Sequence, residues 1–303
     1  MDASRTREIL SRVRKLEIRT RRLVEETMAG QYHSVFKGRG MDFEEVREYL
    51  PGDEVRTIDW NVTARTGRPF VKKFTEEREL TLLLLVDLSA SGSFGSVSRS
   101  KRELAAEVAS VLAFSAIRNN DKVGLVLFTD RVEKFIPPAK GKSHVLRVVR
   151  EILYFEPEHK GTDLVTAVEF ANRVVRRRAV TFLISDFLLP GCESGLPDAV
   201  KRALGLANRR HDLVALATTD PRERELPDVG FVTLEDAETG EQLEVDTSDA
   251  GLRQRYAEAA AAHAEALRLA LRGCGVDLLE LKTEEPYLPA LQRFFRGRVR
   301  RAA

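Results

Sequence analysis

Two stretches in the middle of the chain, residues 80–87 (LTLLLLVD) and 123–128 (VGLVLF), are apolar almost without a break. A strand with one wet face alternates apolar and polar residues, so unbroken runs require burial on both faces. Parallel sheets covered by helices on each side meet that requirement. Residues 99–119 supply the first helix, with Leu104, Val108, Val111, Leu112 and Ser115 at spacings of three and four. The pattern then repeats as strand 122–128, helices 143–155 and 163–177, strand 179–185, helix 198–208 and strand 212–218. Residues 132–136 suit an antiparallel edge beside 122–128. This alternation predicts an α/β fold with a doubly wound, mainly parallel sheet and right-handed crossovers.

Residues 229–247 interrupt the pattern with two alternating runs around Glu238-Thr239-Gly240, as expected for an inserted β-hairpin. An alanine-rich helix over 252–272 stops at Gly273, followed by strand 276–282 and a last helix over 288–296. At the other end, residues 4–28 suit one basic helix with a narrow stripe of Ile9, Val13, Leu16 and Leu23. That helix is expected either to dock by its stripe or to offer its arginines to an acidic partner or anionic lipid. Residues 38–79 carry the Pro51-Gly52-Asp53 turn and strand-like runs at 56–60 and 69–74, which predict a small β-rich segment. Trp60 is expected as a packing anchor, and Asp53, Arg56, Asp59 and Arg65 as ion pairs that pin this segment. The organisation is then 1–78 for the helix and β-rich segment, 79–285 for the main domain with its hairpin at 229–247, and 286–303 for a terminal helix and basic tail.

Composition narrows the function. Apolar residues at 43% and charged residues at 32% belong to a globular chain. Lys+Arg (49) nearly cancel Asp+Glu (47), so no whole-chain charge favours nucleic acid. Cys192 and Cys274 belong to no C-x-x-C pair, which suits a reducing compartment. The longest apolar run, 82–86, is far shorter than a membrane span, and the expected location is the cytoplasm.

Doubly wound sheets bind ligands at the carboxyl ends of their strands. The first strand ends in Asp87-Leu88-Ser89-Ala90-Ser91, and strand 179–185 ends in Asp186. Thr162, in Gly161-Thr162-Asp163, starts a helix leading back to that strand. Together these are two carboxylates and three hydroxyls, an all-oxygen set suited to Mg²⁺, with Mn²⁺ as the alternative ion. Few direct carboxylates would leave the ion positive enough to attract an acidic group from a partner.

Asp87-x-Ser89-x-Ser91, Thr162 and Asp186, in that order, resemble the metal-ion-dependent adhesion site (MIDAS) of von Willebrand factor A domains. The resemblance implies that Ser89, Ser91 and Thr162 contact the metal directly and that Asp87 and Asp186 act through water. Arg47-Glu48-Tyr49, Pro51-Gly52-Asp53, Ile58-Asp59-Trp60 and Ala64-Arg65-Thr66, with the Glu238-Thr239-Gly240 hairpin, resemble the bacterial family called domain of unknown function 58. That resemblance covers most of residues 35–250. It implies a non-enzymatic binding protein acting with a MoxR-type AAA+ ATPase in a chaperone-like or metal-insertion assembly, in which an acidic residue of the partner completes the metal shell. Many A domains have Met after the second serine; here Gly92-Ser93-Phe94-Gly95 follows, which puts the loop shape and partner face in question.

Enzyme classes fit less well. Gly141-Lys142-Ser143 ends like a Walker A motif, but Ile136 stands where its first glycine belongs. A haloacid-dehalogenase phosphatase needs an acid two residues after Asp87, where this chain has Ser89. The alternative function is a metal-dependent hydrolase using the same pocket, which would need a general base beside the metal.

Overall fold

The computed structural model describes residues 42–75, 79–189 and 195–302, with Val13, Arg14, Glu17, Ile18 and Thr20 before them. Contacts divide the chain into two compact units, residues 36–80 and the remainder.

In the main unit a six-stranded sheet holds β3 (Thr81–Asp87), β4 (Lys122–Phe128), β5 (Val132–Ala139), β6 (Val180–Ser185), β7 (Asp212–Thr219) and β10 (Asp277–Lys282). Their spatial order is β10-β7-β6-β3-β4-β5. All pairings are parallel except β4–β5, the expected antiparallel edge. Central β3 explains the architecture: Leu82, Leu83, Leu84, Leu85 and Val86 are each at most 1% exposed. Each such side chain contributes about 2 kcal/mol of hydrophobic stabilisation. Alternate residues serve opposite faces. Leu83 and Leu85 join a core with α4 (Leu164–Val174), α5 (Asp198–Arg210) and part of α6 (Ala250–Gly273). Leu82, Leu84 and Val86 belong to the opposite face, where α2 (Lys101–Arg118) packs on β3, β4 and β7 and against α3 (Lys142–Tyr154).

The sequence stripe understates the burial of α2. Besides Leu104, Val108, Val111 and Leu112, the small residues Ala105, Ala106, Ala109, Ala113 and Ala116 are buried, so the helix is enclosed on nearly every side. A capping box starts it: Ser100 Oγ accepts from the Glu103 N–H, and the Glu103 carboxylate accepts from the Ser100 N–H. At the β4–β5 edge, Gly124 allows a close approach, because a Cβ there would lie 2.9 Å from Pro138 Cγ. The terminal helix α7 (Tyr287–Ala302) belongs to this unit, with Leu291 and Phe295 fully buried, although the sequence suggests setting 286–303 apart. The hairpin strands β8 (Phe231–Glu235) and β9 (Gln242–Asp246) pair antiparallel outside the central sheet. No helix among the described residues is long and apolar enough to cross a membrane.

Most of the basic helix expected over residues 4–28 lies outside the described residues. The five described positions there are helical, with Val13 and Thr20 buried and Glu17 paired to Lys142 at 2.5 Å.

The smaller unit contains β1 (Asp42–Glu48) and β2 (Phe70–Thr75), an antiparallel pair. The expected strand at 56–60 is absent. A 3₁₀ turn at Val55–Thr57 leads into a helix, α1 (Trp60–Thr66). Asp59 decides this: its Oδ1 accepts from the N–H groups of Asn61 and Val62 at 3.0 and 3.3 Å, and Gly67 ends the helix at a φ of 71°. Trp60 is 67% exposed, so it does not anchor packing. The expected charge cluster also separates. Asp53 takes a bidentate bond from Arg47, Asp59 serves as the cap, and Arg56 and Arg65 lie exposed.

Candidate metal centre

The parallel strands of the central sheet deliver their carboxyl ends to a single edge. Asp87 closes β3, and its Oδ1 accepts from the Ser89 N–H at 2.9 Å. This local bond turns the chain into the short 3₁₀ helix Ala90–Ser93, which holds Ser91. Ser89 and Ser91 bring their Oγ atoms to 3.1 Å. On neighbouring β6, Ser185 Oγ–H donates to Asp87 Oδ2 at 2.6 Å, so both Asp87 oxygens are engaged. Phe187 then adopts a left-handed φ of 57°, uncommon for a bulky residue, and its N–H bonds to Ser185 Oγ at 3.0 Å. The cleft is lined by Asp87, Ser89, Gly92, Lys101, Ser185 and Asp186 among others.

Thr162 reaches the same edge from its own loop. The Ala90 N–H bonds to the Lys160 carbonyl at 2.9 Å, and the Asp163 N–H bonds to the Thr129 carbonyl at 2.9 Å. Asp163 caps α4 through the N–H groups of Val165 and Thr166. The Thr162 hydroxyl takes no part in the two serines' hydrogen bond. It donates to Glu238 Oε1 of the hairpin at 3.0 Å.

Sequence reasoning missed the main counter-charge. Lys101, in the first turn of α2, is 1% exposed and places Nζ 2.6 Å from Asp186 Oδ2, with Glu223 as its second partner. Burial opposes this ammonium, yet Asp186 and Glu223 hold its pKa above the ordinary lysine value. The remaining Asp186 oxygen accepts from the Leu188 N–H at 3.1 Å. Asp220 was missed as well. Fully buried, it takes bonds from the Ser96 N–H at 2.9 Å and the Thr283 hydroxyl at 3.0 Å, holding the loop after the serines to the ends of β7 and β10. In that loop Gly95 has no room for a side chain, since a Cβ would fall 2.6 Å from Ser100 Cα.

Negative charge still exceeds positive charge at this edge. Burial and then the nearby Asp186 push the Asp87 carboxyl up to about 7. Burial raises Glu223 despite Lys101, and burial with Asp186, Asp236 and Asp130 raises Glu238. A bound divalent cation would invert this field. The donors fit such an ion: an octahedron with metal–oxygen distances of about 2.1 Å sets neighbouring oxygens about 3.0 Å apart. The Ser89–Ser91 spacing of 3.1 Å matches that edge. Among the described residues no three His, Cys, Asp or Glu gather into a cage that could hold a metal ion.

Residues 45–266 match the sequence profile of the family described as "Protein of unknown function DUF58". An uncharacterised protein of Mycobacterium tuberculosis, Rv1480, is 36% identical over 292 residues, covering 96% of this chain and 90% of its own. YeaD of Bacillus subtilis is 29% identical over 107 residues, 35% of this chain and 25% of that protein. Among solved structures, the conserved hypothetical protein BatB of Bacteroides thetaiotaomicron aligns with a TM-score of 0.43 at 16% identity, covering 73% of this chain and 99% of that one. The SpRpn10 VWA domain aligns with a TM-score of 0.35 at 14% identity, covering 71% and 94%.

Proposed function

The chain belongs to the DUF58 family, whose description assigns no activity, and from the strand-end geometry we propose that it is a non-enzymatic, metal-dependent protein-binding module. The observation that carries this reading is the pair of serine hydroxyls 3.1 Å apart, set beside Asp87 and Asp186 in an edge short of positive charge. Ser89, Ser91 and Thr162 would hold Mg²⁺ or Mn²⁺ directly, and Asp87 and Asp186, whose oxygens are engaged within the chain, would act through water. Bound there, the ion supplies a positive charge that recognises a carboxylate of the partner. The partner's class, a MoxR-type AAA+ ATPase, and its chaperone-like role rest on the family resemblance, and a place in the cytoplasm on the cysteine usage and the short apolar runs.

A metal-dependent hydrolase would need a free general base. Asp87 is the cleft acid whose carboxyl is raised to about 7, but Ser89 N–H and Ser185 Oγ–H occupy both of its oxygens. That occupation favours binding over hydrolysis.

Titration calorimetry with Mg²⁺ and Mn²⁺ tests the proposal on the wild type and on Asp87→Ala, with circular dichroism as the folding check. The expected outcome is binding by the wild type and its loss in the folded variant, followed by metal-dependent capture of the ATPase. Failure of the wild type to bind either ion would overturn the reading.

A further inference from the structure

The hairpin supplies a carboxylate to a site otherwise built from the ends of the central sheet. Its tip is preorganised by Asp236, whose Oδ1 accepts from the N–H groups of Glu238 at 2.9 Å and Thr239 at 2.8 Å. The Asp236 carbonyl accepts from the Gly240 N–H at 2.8 Å, and Gly240 takes the left-handed φ of 75° that closes the turn. Within residues 236–240 only Glu238 is half-buried, and its four companions are exposed. It is therefore turned inward, with Oε1 3.0 Å from Thr162 Oγ1 and Oε2 3.8 Å from the Cβ position that Gly161 leaves empty.

This is a costly place for a glutamate. Half-buried against Gly161 and Thr162, its carboxylate gives up part of its hydration. Among the described residues the partner bonded to its carboxylate is the neutral Thr162 hydroxyl, although a hairpin-tip glutamate could reach water without cost. A cation resolves the conflict. The 3.0 Å between Thr162 Oγ1 and Glu238 Oε1 is again the edge of an octahedron with metal–oxygen distances of about 2.1 Å.

We propose that Glu238 is a ligand in cis to the ion held by Ser89, Ser91 and Thr162. The hairpin then takes the coordination position that a partner's carboxylate needs, and the closed chain is a self-bound state that the partner must displace. This inference rests on the metal-binding reading above, and the experiment separates the two.

Mn²⁺ is titrated into the full chain, into Glu238→Gln and into the neighbouring control Glu241→Gln, with amide hydrogen exchange of residues 229–247 followed with and without the ion. Expected is slower exchange of the wild-type hairpin on adding Mn²⁺. In Glu238→Gln, affinity falls roughly tenfold, as for loss of one charge-assisted contact, and the hairpin ignores the ion. Glu241→Gln behaves as wild type. Equal Mn²⁺ affinity in all three, with hairpin exchange unchanged by the ion, overturns the cis ligand and leaves the metal site standing. Absence of Mn²⁺ binding by the wild type overturns both.

Discussion

The two ends of the same strands follow opposite electrostatic rules. At the amino ends charges are matched: Arg298 of α7 bonds Asp212 at 2.6 Å and Asp277 at 2.8 Å, the first residues of β7 and β10. The buried His211 is kept neutral, because burial and then Arg210 and Arg178 push its pKa down to about 4. Its Nδ1 accepts from the Ala179 N–H at 3.2 Å, joining the starts of β6 and β7. At the carboxyl ends Lys101 faces Asp186 and Glu223, while Asp87 and Glu238 add further acid and carry raised pKa values. The amino edge is settled for stability. The carboxyl edge gathers more acid than Lys101 can pair, and the proposed cation would balance it.

Removing the matched cation from the crowded edge gives the largest expected effect. Lys101→Met keeps the volume of the stem but leaves Asp186 and Glu223 facing each other without their ammonium. Breaking a buried pair from one side costs about 3–5 kcal/mol, and urea unfolding at neutral pH measures it. A loss below about 1 kcal/mol would mean that the two carboxylates share a proton or reach water, and the contrast between the edges would weaken.

The quieter edge answers to pH. The folded pKa of His211 lies below its ordinary value, so the unfolded chain binds the extra proton between about pH 6.5 and 4. Its contribution is therefore intact above about pH 6.5 and lost as pH falls through that window, amounting to about 2 kcal/mol between pH 7 and 5. Urea unfolding at both pH values should show a smaller loss for His211→Asn, which keeps an acceptor for the Ala179 N–H, than for the wild type. Identical pH slopes would place an ordinary histidine at this position.

How much of this was legible depends on sequence distance. The doubly wound sheet follows from runs such as 82–86 alternating with helical patterns, because helices on both faces bury such strands. The proposed site residues Asp87, Ser89, Ser91 and Asp186 could be named together because strand ends in such a sheet share an edge. Lys101 was not. It sits 85 positions from Asp186 and 122 from Glu223, and its surface-like neighbours Arg99 and Arg102 disguise a buried charge. Glu238 could be read only as part of a hairpin turn, since turn tips are acidic for many reasons and Thr162 is 76 positions away. The strand expected at 56–60 failed for a local reason. Ile58 and Trp60 suggested β structure, but the Asp59 side chain satisfies two N–H groups of a helical turn. The near-total burial of α2 was hidden in its alanines, which pack without adding to an apolar stripe.

The smallest expected change in stability is at Ser91, where the difference between the two edges can be tested without disturbing either. Ser91 is half-buried on a surface 3₁₀ turn, and its hydroxyl has the Ser89 hydroxyl at 3.1 Å as its hydrogen-bond partner. Ser91→Ala should shift unfolding by no more than about 0.5 kcal/mol, as surface substitutions outside special features do. If the crowded edge exists to hold a cation, the same variant should lose Mn²⁺ affinity measurably in calorimetry, because one of the paired oxygens has gone. A variant as stable as wild type that binds Mn²⁺ equally well would show that the serine pair is only a turn. The acid excess at the carboxyl edge would then need another explanation.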